Sequence, residues 1–455
     1  MSSISVPGIG SGLDINGLVT QLVAVERAPA QAQIDSQRSR ALSRISALGS
    51  LNSALDGVQT AFAALSSGSA FNRRTATSGD TAVITASAGS SAVPGRYAVE
   101  VAALASSQKL SSGAFATAGT AVGTGTLTVK VGTVSSVLTI DSSGQSLTAI
   151  RDAINAAPDN PGVDATIVTG ADGAHLILNA RTSGSAGAIE VTSSGGGLAA
   201  LTYVSGGPAN GLTQIDPAQD AQVTIDGVAV GSAGNTISDA IEGVTLNLLS
   251  AKPGTAIDIT VAADRAAAVS AVGAFVSSYN ALVGTSLQLA SFNATTGSAG
   301  PLLGDSTLRA VRNDLSKALA ARDNGAAFES LSAIGVRVAL NGTLSVDNAA
   351  LTEALDSSQA SVAALVSEDG VLGQALAGVF DRFLGSDGVL VTRSESLNDT
   401  QRALDRQQER LDLRLTATEA RLRAQFTALD SLLSRLQSTS NFLTQQLSSV
   451  SSSSG

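Results

Sequence analysis

The chain has one histidine, His175, and no cysteine, and this limits the chemistry its side chains can perform. Histidine is the usual general base near neutral pH. Metal sites in soluble enzymes gather several His, Cys or carboxylate ligands. A lone imidazole in a β segment beside a turn reads as a surface side chain. Asp159, Asp164 and Asp172 lack the alternate spacing of a calcium-binding loop. Gly8, Gly10 and Gly12 do not form a dinucleotide fingerprint, because the third glycine falls one residue early and no strand precedes it. No Gly-Lys-Ser/Thr phosphate loop and no Gly-x-Ser-x-Gly elbow occurs. The plentiful serines have no nearby base, so they read as turn and surface residues. The expectation is a protein that is not an enzyme, with no catalytic residue, no cofactor and no metal.

The remaining composition narrows the class of partner. A net charge of −10 leaves no basic face for nucleic acid. No polybasic stretch flanks an amphipathic helix, and no apolar run reaches the ~18 residues of a membrane span. With 3% aromatic residues, the 44% apolar fraction is mostly Ala, Val, Leu and Ile. Such cores gain area in small increments, which suits helix seams and β-sandwiches better than a deep aromatic pocket. The opening MSSISVPGIGSGLDINGL has no basic n-region and no long apolar segment, so it is not read as a general secretory signal.

Helical pattern lies at both ends and strand pattern lies between them. Asp14 stands at an N-cap position before Ile15, Leu18, Leu22 and Val25. Pro29 is expected to interrupt that helix. A second one is expected from about Ala30 to Leu65, with a stripe through Ile34, Ala41, Ile45, Leu48, Leu55, Val58, Phe62 and Leu65. Alternating Tyr97-Val99-Val101 and Leu127-Val129-Val131 predict strands, and Ser146–Ala156 predicts a short helix. Asp172-Gly173 and Asp226-Gly227 mark hairpins, and Asn341-Gly342 predicts a type I′ hairpin. Helix resumes near Asp264, and Asp347 is placed to cap another.

The element that carries function is the last helix, predicted from about Ser394 to Val450 without Pro or Gly. Leu415, Leu422, Leu429, Leu436, Leu443 and Val450 repeat every seven residues. Phe426, Leu433 and Leu447 form a second series, with Glu419 and Ser440 as its polar members. These alternating steps are the seam of a left-handed coiled coil. Leu397, Leu404 and Leu411 share another phase, so a four-residue stutter separates them from Leu415. Such a helix is longer than a small core can cover. The Ile34–Leu65 stripe is its expected intramolecular partner, and one end should remain free for another subunit or protein.

The run Gly8–Val19 (GIGSGLDINGLV), followed by Glu26-Arg27-Ala28-Pro29, resembles the N-terminus of flagellar filament capping proteins, also called hook-associated protein 2. Arg96–Val101 with Leu104-Ala105 and Gln108 is similar to the family's N-terminal block. Leu147–Asn155, Gly162-Val163 and Leu176–Leu178 resemble its hook-type IN motif. Gln219–Gln222, Ile225–Val228, Ile241–Leu246, Phe275–Asn280, Leu303–Asp305 and Phe442-Leu443 resemble its C-terminal region. The resemblance spans nearly the whole chain in order.

It implies a multidomain α+β protein: terminal α-helical coiled-coil legs, a helical-bundle domain, and two central β-rich domains, one inserted in the other. Residues 1–39 with 396–455 would form the legs, and 40–74 with 265–395 the helical domain with a small hairpin. Residues 75–118 with 213–264 would form one β-rich domain, and 119–212 the inserted one. The resemblance further implies a structural cap at the distal end of the bacterial flagellum, exported by the flagellar type III route without a cleaved signal peptide. It would assemble as a homo-oligomeric ring, commonly a pentamer. Its other partners would be flagellin, the hook–filament junction protein and an export chaperone that engages the C-terminal region. Cell adhesion, known in some members, stays open. The candidate oligomer and filament contacts are Ile15, Leu18, Leu22, Leu415, Leu422, Phe426, Leu429, Leu433, Leu436, Leu443 and Leu447. Two alternatives remain: another filament component such as a flagellin or junction protein, and a secreted β-domain adhesin or hydrolase.

Overall fold

The computed structural model describes residues 14–207 and 210–452, with side-chain environments through residue 447. The described residues form two compact units, one from residues 14–69 with 268–452 and the other within residues 70–267. Seven α-helices occur among the described residues: α1 Ile15–Ser66, α2 Leu147–Ala156, α3 Arg265–Leu289, α4 Ser306–Leu319, α5 Asn348–Val366, α6 Val371–Leu384 and α7 Val389–Ser452.

The β unit has two hydrophobic cores. Around the first, a five-stranded antiparallel sheet runs in the order Arg74–Ser78, Ala256–Ala263, Gly95–Ala103, Ala221–Ile225, Val228–Ser232. A three-stranded sheet of Thr236–Ile241, Val244–Leu248 and Ile84–Ala88 accompanies it. Val99, Val101, Val223, Leu246, Ile259 and Val261 are buried between them. The Asp226-Gly227 turn closes its hairpin with both residues at positive φ, 47° and 85°. This is the conformation that a two-residue type I′ turn demands.

The second core lies within a four-stranded sheet, Leu212–Asp216, Lys109–Ser112, Gly173–Ala180, Val163–Gly170, and a three-stranded sheet, Val134–Ile140, Gly125–Val131, Ile189–Ser194. Strand Gly173–Ala180 alternates strictly, burying Ala174, Leu176, Leu178 and Ala180 on one face. Leu147, Ile150 and Ile154 of α2 join this core, and the Ser146 side chain caps the helix by accepting from the Ala149 N–H. Leu110 and Leu212 also belong to it. Leu212 closes the 119–212 segment, whereas Lys109–Ser112 lies in the 75–118 segment and residues 213–216 in the 213–264 segment. Their outward residues carry little apolar signal, so only the pairing reveals their sheet. The cores are pinned together where the Asp220 carboxylate accepts from the Ser185 N–H (2.6 Å) and hydroxyl (2.9 Å) and the Ser183 hydroxyl donates to the Ala233 carbonyl (2.7 Å).

In the helical unit, α3 is long and apolar enough to cross a bilayer by composition. Its Ala268, Val272, Phe275, Tyr279 and Leu282 are nevertheless buried in this unit, where Phe275 meets Phe62 of α1 edge-on at 5.6 Å. The hairpin of Val336–Val338 with Leu344–Val346 forms, but not on a two-residue turn. Gly342 alone is left-handed (φ 83°), and its N–H donates to the Ala339 carbonyl. Asn341 instead accepts from the Thr343 N–H and hydroxyl. The result is a three-residue loop with glycine last. Asp347 caps α5 through the N–H groups of Ala349 and Ala350.

The expected break at Pro29 does not occur: α1 is one helix of 52 residues. Proline removes one backbone donor. Here Pro29 and Val25, whose carbonyl loses that donor, both face solvent, and water can satisfy the carbonyl. Packing of the opposite face holds the helix together.

Candidate assembly interface

α1 and α7 pair antiparallel, since partners of rising number on one have falling number on the other. Arg27 pairs with Asp412, and Arg38 with Asp405 at 2.6 Å. Gln31 and Gln408 exchange amide hydrogen bonds at 2.8 and 2.9 Å, and Gln401 donates to the Arg38 carbonyl. Beneath these clasps Ile34, Leu411 and Leu415 form a small core, with Val23 and Ala30 against it. Leu404 is buried one heptad earlier. Asp14 caps the start of α1, its Oδ1 accepting from the Gly17 N–H at 2.9 Å.

α1 therefore runs out before α7 does. Continuing the register, Ile15 falls opposite about residue 424 of α7. Leu422 and Phe426 are half-buried there. Beyond them the ladder is open: Leu429 is 46% exposed, Leu436 57% and Leu447 69%, and Leu433 and Leu443 are exposed too. The 64-residue α7 is about 96 Å long. Roughly 50 Å of it lies past Thr418, the last buried position among the described residues. Its flank carries the Glu419–Arg423 pair at 2.7 Å, one turn apart.

The eleven candidate contacts thus divide. Ile15 and Leu415 are buried within the chain, so neither is free for another subunit. Leu18 and Leu22 are exposed on α1 beside Val25. The other seven lie on the half-covered or open stretch of α7. Val450 and the Gly8–Gly12 opening lie outside the residues whose side chains are described.

The acidic grouping of the β unit disperses. Asp159 accepts from the Ser136 hydroxyl, Asp164 binds Arg181, and Asp172 faces His175. Among the described residues no group of three His, Cys, Asp or Glu is placed to hold a metal. His175 sits between two acceptors: Nδ1 is 2.9 Å from the Ser112 carbonyl and Nε2 is 3.1 Å from Asp172 Oδ1. Only the imidazolium donates to both. The Ser112 carbonyl foremost, then Asp172, hold its pKa above the usual 6.5. Folding therefore gains from this group fully below its ordinary pKa, and the gain is lost as pH rises through the raised one. The melting temperature is expected to fall as pH rises from about 6.5 through the raised pKa, and His175→Gln to flatten that dependence. A wild-type melting temperature that is level across this range would contradict the assignment.

Sequence reasoning missed Asp305, which does two jobs. It caps α4 by accepting from the Thr307 and Leu308 N–H groups. It also receives Arg393 of α7 in a two-pronged ion pair, with Arg393 Nη1 2.9 Å from Oδ1. Its carboxylate is 9% exposed. The Leu303-Gly304-Asp305 string was visible, but a distant arginine partner leaves no local signal.

These features define a multidomain α+β protein whose helices α1 and α7 pair antiparallel, with α7 reaching beyond α1. Family models for the N-terminus and C-terminus of flagellar hook-associated protein 2 match residues 11–108 and 218–438. The A-type flagellar hook-associated protein 2 of Pseudomonas aeruginosa is 32% identical, covering 99% of this chain and 98% of that protein. Flagellar hook-associated protein 2 of Escherichia coli K12 is 33% identical over the full length of both. The crystal structure of the D1-D2-D3 domains of the Escherichia coli flagellar cap protein FliD superposes with a TM-score of 0.62 at 31% identity. It covers 77% of this chain and 99% of that one. The chain belongs to the flagellar hook-associated protein 2 family.

Proposed function

We propose that this chain caps the distal end of the bacterial flagellar filament, where it promotes folding and insertion of exported flagellin and prevents its loss. The family relationship supports the place of action. The observation that carries the mechanism is the open leucine ladder from Leu429 to Leu447, which one chain leaves in water. An exposed apolar seam of coiled-coil period calls for a second helix, and a homo-oligomer supplies one from every neighbour. Leu18, Leu22, Leu422, Phe426, Leu429, Leu433, Leu436, Leu443 and Leu447 form the proposed contacts.

In this reading residues 1–39 with 396–455 act as legs, 40–74 with 265–395 as the helical domain, and the β unit as a plate of two domains. The assembly is a closed ring, proposed as a pentamer, that also meets flagellin, the junction protein and an export chaperone. Export by the flagellar type III route brings it to the filament tip, and no catalytic step is involved. A cap must step as each flagellin is added, so its grip must be reversible. Ser440 within the ladder weakens the seam accordingly.

Light scattering on the purified chain tests this reading. A finite closed assembly that stops growing with concentration is expected. Open-ended growth into filaments would point to a flagellin-like component instead, and a monomer at every concentration would sink the proposal.

A further inference from the structure

Two surfaces of the helical unit are complementary, and they share no residue. The first is the tip of the hairpin formed by Val336–Val338 and Leu344–Val346. Its base is fixed. Val336 and Leu344 are buried, and the Asn280 side chain of α3 donates to the Leu344 carbonyl (2.9 Å) and accepts from its N–H (2.7 Å). Its tip covers nothing: Leu340 is fully exposed and Val338 half-exposed. An apolar side chain held out on an already ordered backbone loses little freedom when it docks. Two guanidinium groups accompany it. Arg337 belongs to the hairpin, and Nη2 of Arg312 on α4 would lie 3.9 Å from a Cβ on Gly342. Both are exposed, and neither side chain forms an ion pair or hydrogen bond among the described residues. Residues 336–346 contain no acid, so this tip is cationic on a chain of net charge −10.

The second surface is a groove of about 360 Å³ between α1 and α6. Ala63 of α1, Ala377 of α6 and the partly exposed Leu384 give it apolar walls. Glu368 and Asp381 also line it, and among the described residues no basic side chain does. Both carboxylates are exposed and, like the two arginines, form no ion pair or hydrogen bond among the described residues. The groove is therefore anionic, partly apolar and roomy enough for a leucine side chain.

We propose that the hairpin tip of one copy docks in the α1–α6 groove of the next. Leu340 enters between Ala63, Ala377 and Leu384, and Arg312 and Arg337 face Glu368 and Asp381. The occupant is a second copy because this chain carries both halves of the match: a cationic apolar tip and an anionic apolar groove, each left without a partner. Burial of Leu340 supplies the affinity, and the opposite charges set the register and reject other partners. A contact between two different patches is heterologous, so every copy gives one tip and receives another until the rotation closes a ring. This contact rests on the self-assembly proposed above and lies in the helical core, apart from the open ladder of α7.

Sedimentation velocity of the full chain over a concentration series tests it. Arg312→Glu with Arg337→Glu reverses the tip, and Glu368→Lys with Asp381→Lys reverses the groove. All four side chains are exposed and unpaired, so folding tolerates the changes. Either reversal alone is expected to raise the concentration for half-assembly about tenfold or more. The chain carrying all four changes is expected to return to within about threefold of the parent, since its tip and groove are again opposite in charge. Leu340→Ser is expected to weaken assembly about tenfold through lost burial alone. A parent chain that assembles while Leu340→Ser and both reversals leave its midpoint unchanged would overturn the hairpin contact and leave the ladder standing. Reversals that weaken assembly without recovery in the fourfold variant would also overturn it. A parent that stays monomeric would instead sink the self-assembly reading itself.

Discussion

Cells producing the Leu429→Asp, Leu436→Asp double variant are expected to lose motility and to release flagellin into the medium. Both side chains are already exposed in the single chain, 46% and 57%. Exposed substitutions of this kind usually change stability by no more than ~0.5 kcal/mol. Two such changes total up to ~1 kcal/mol, so the purified variant should melt within about 4 °C of the parent. In the assembly the same positions enter an apolar seam, where each carboxylate must shed water without a partner. Those two facts separate a failure of assembly from a failure of folding. Normal filaments in the mutant, or a variant that no longer folds, would each count against the open ladder as the working surface.

The second large effect is expected at Asp305. Asp305→Ala removes a helix cap, worth about 1 kcal/mol, and strands Arg393 beside α4. Losing one partner of a largely buried pair costs up to ~3–5 kcal/mol; Arg393 is partly solvated, which reduces this. The expected total is about 2–4 kcal/mol, or a melting temperature lower by roughly 5–10 °C for a unit of this size. Because Arg393 belongs to α7, the variant should also loosen the root of the long helix against the helical core. Thermal melts of Asp305→Ala, Arg393→Met and the double variant give the coupling directly. Additive effects of the two single changes would mean that the ion pair contributes nothing.

Much of the fold was legible because its signals are local. Asp14 and Asp347 cap helices from the positions where the sequence places them, and the short helix expected from Ser146 begins there with Ser146 as its cap. Asp226-Gly227 turns as its dipeptide requires. The seven-residue leucine series does lie on one uninterrupted helix. What failed depended on packing between distant segments. Pro29 does not end α1, since α7 stabilises the opposite face. Lys109–Ser112 and Leu212–Asp216 join a sheet that their own sequences do not specify. Leu415 and Leu436 occupy equivalent heptad positions, yet one is 3% exposed and the other 57%. Only the register between α1 and α7, fixed by pairs such as Arg38–Asp405, decides which rungs are taken and which are open.

The absence of cysteine from this sequence permits a direct test of the open ladder. Ser440→Cys places the sole thiol of the protein among the exposed rungs of α7, and its rate of alkylation can be followed as concentration drives assembly. The account predicts a fast-reacting thiol in the dilute single chain and a strongly protected one in the assembled complex. Equal reactivity in both states would show that assembly proceeds without covering the ladder.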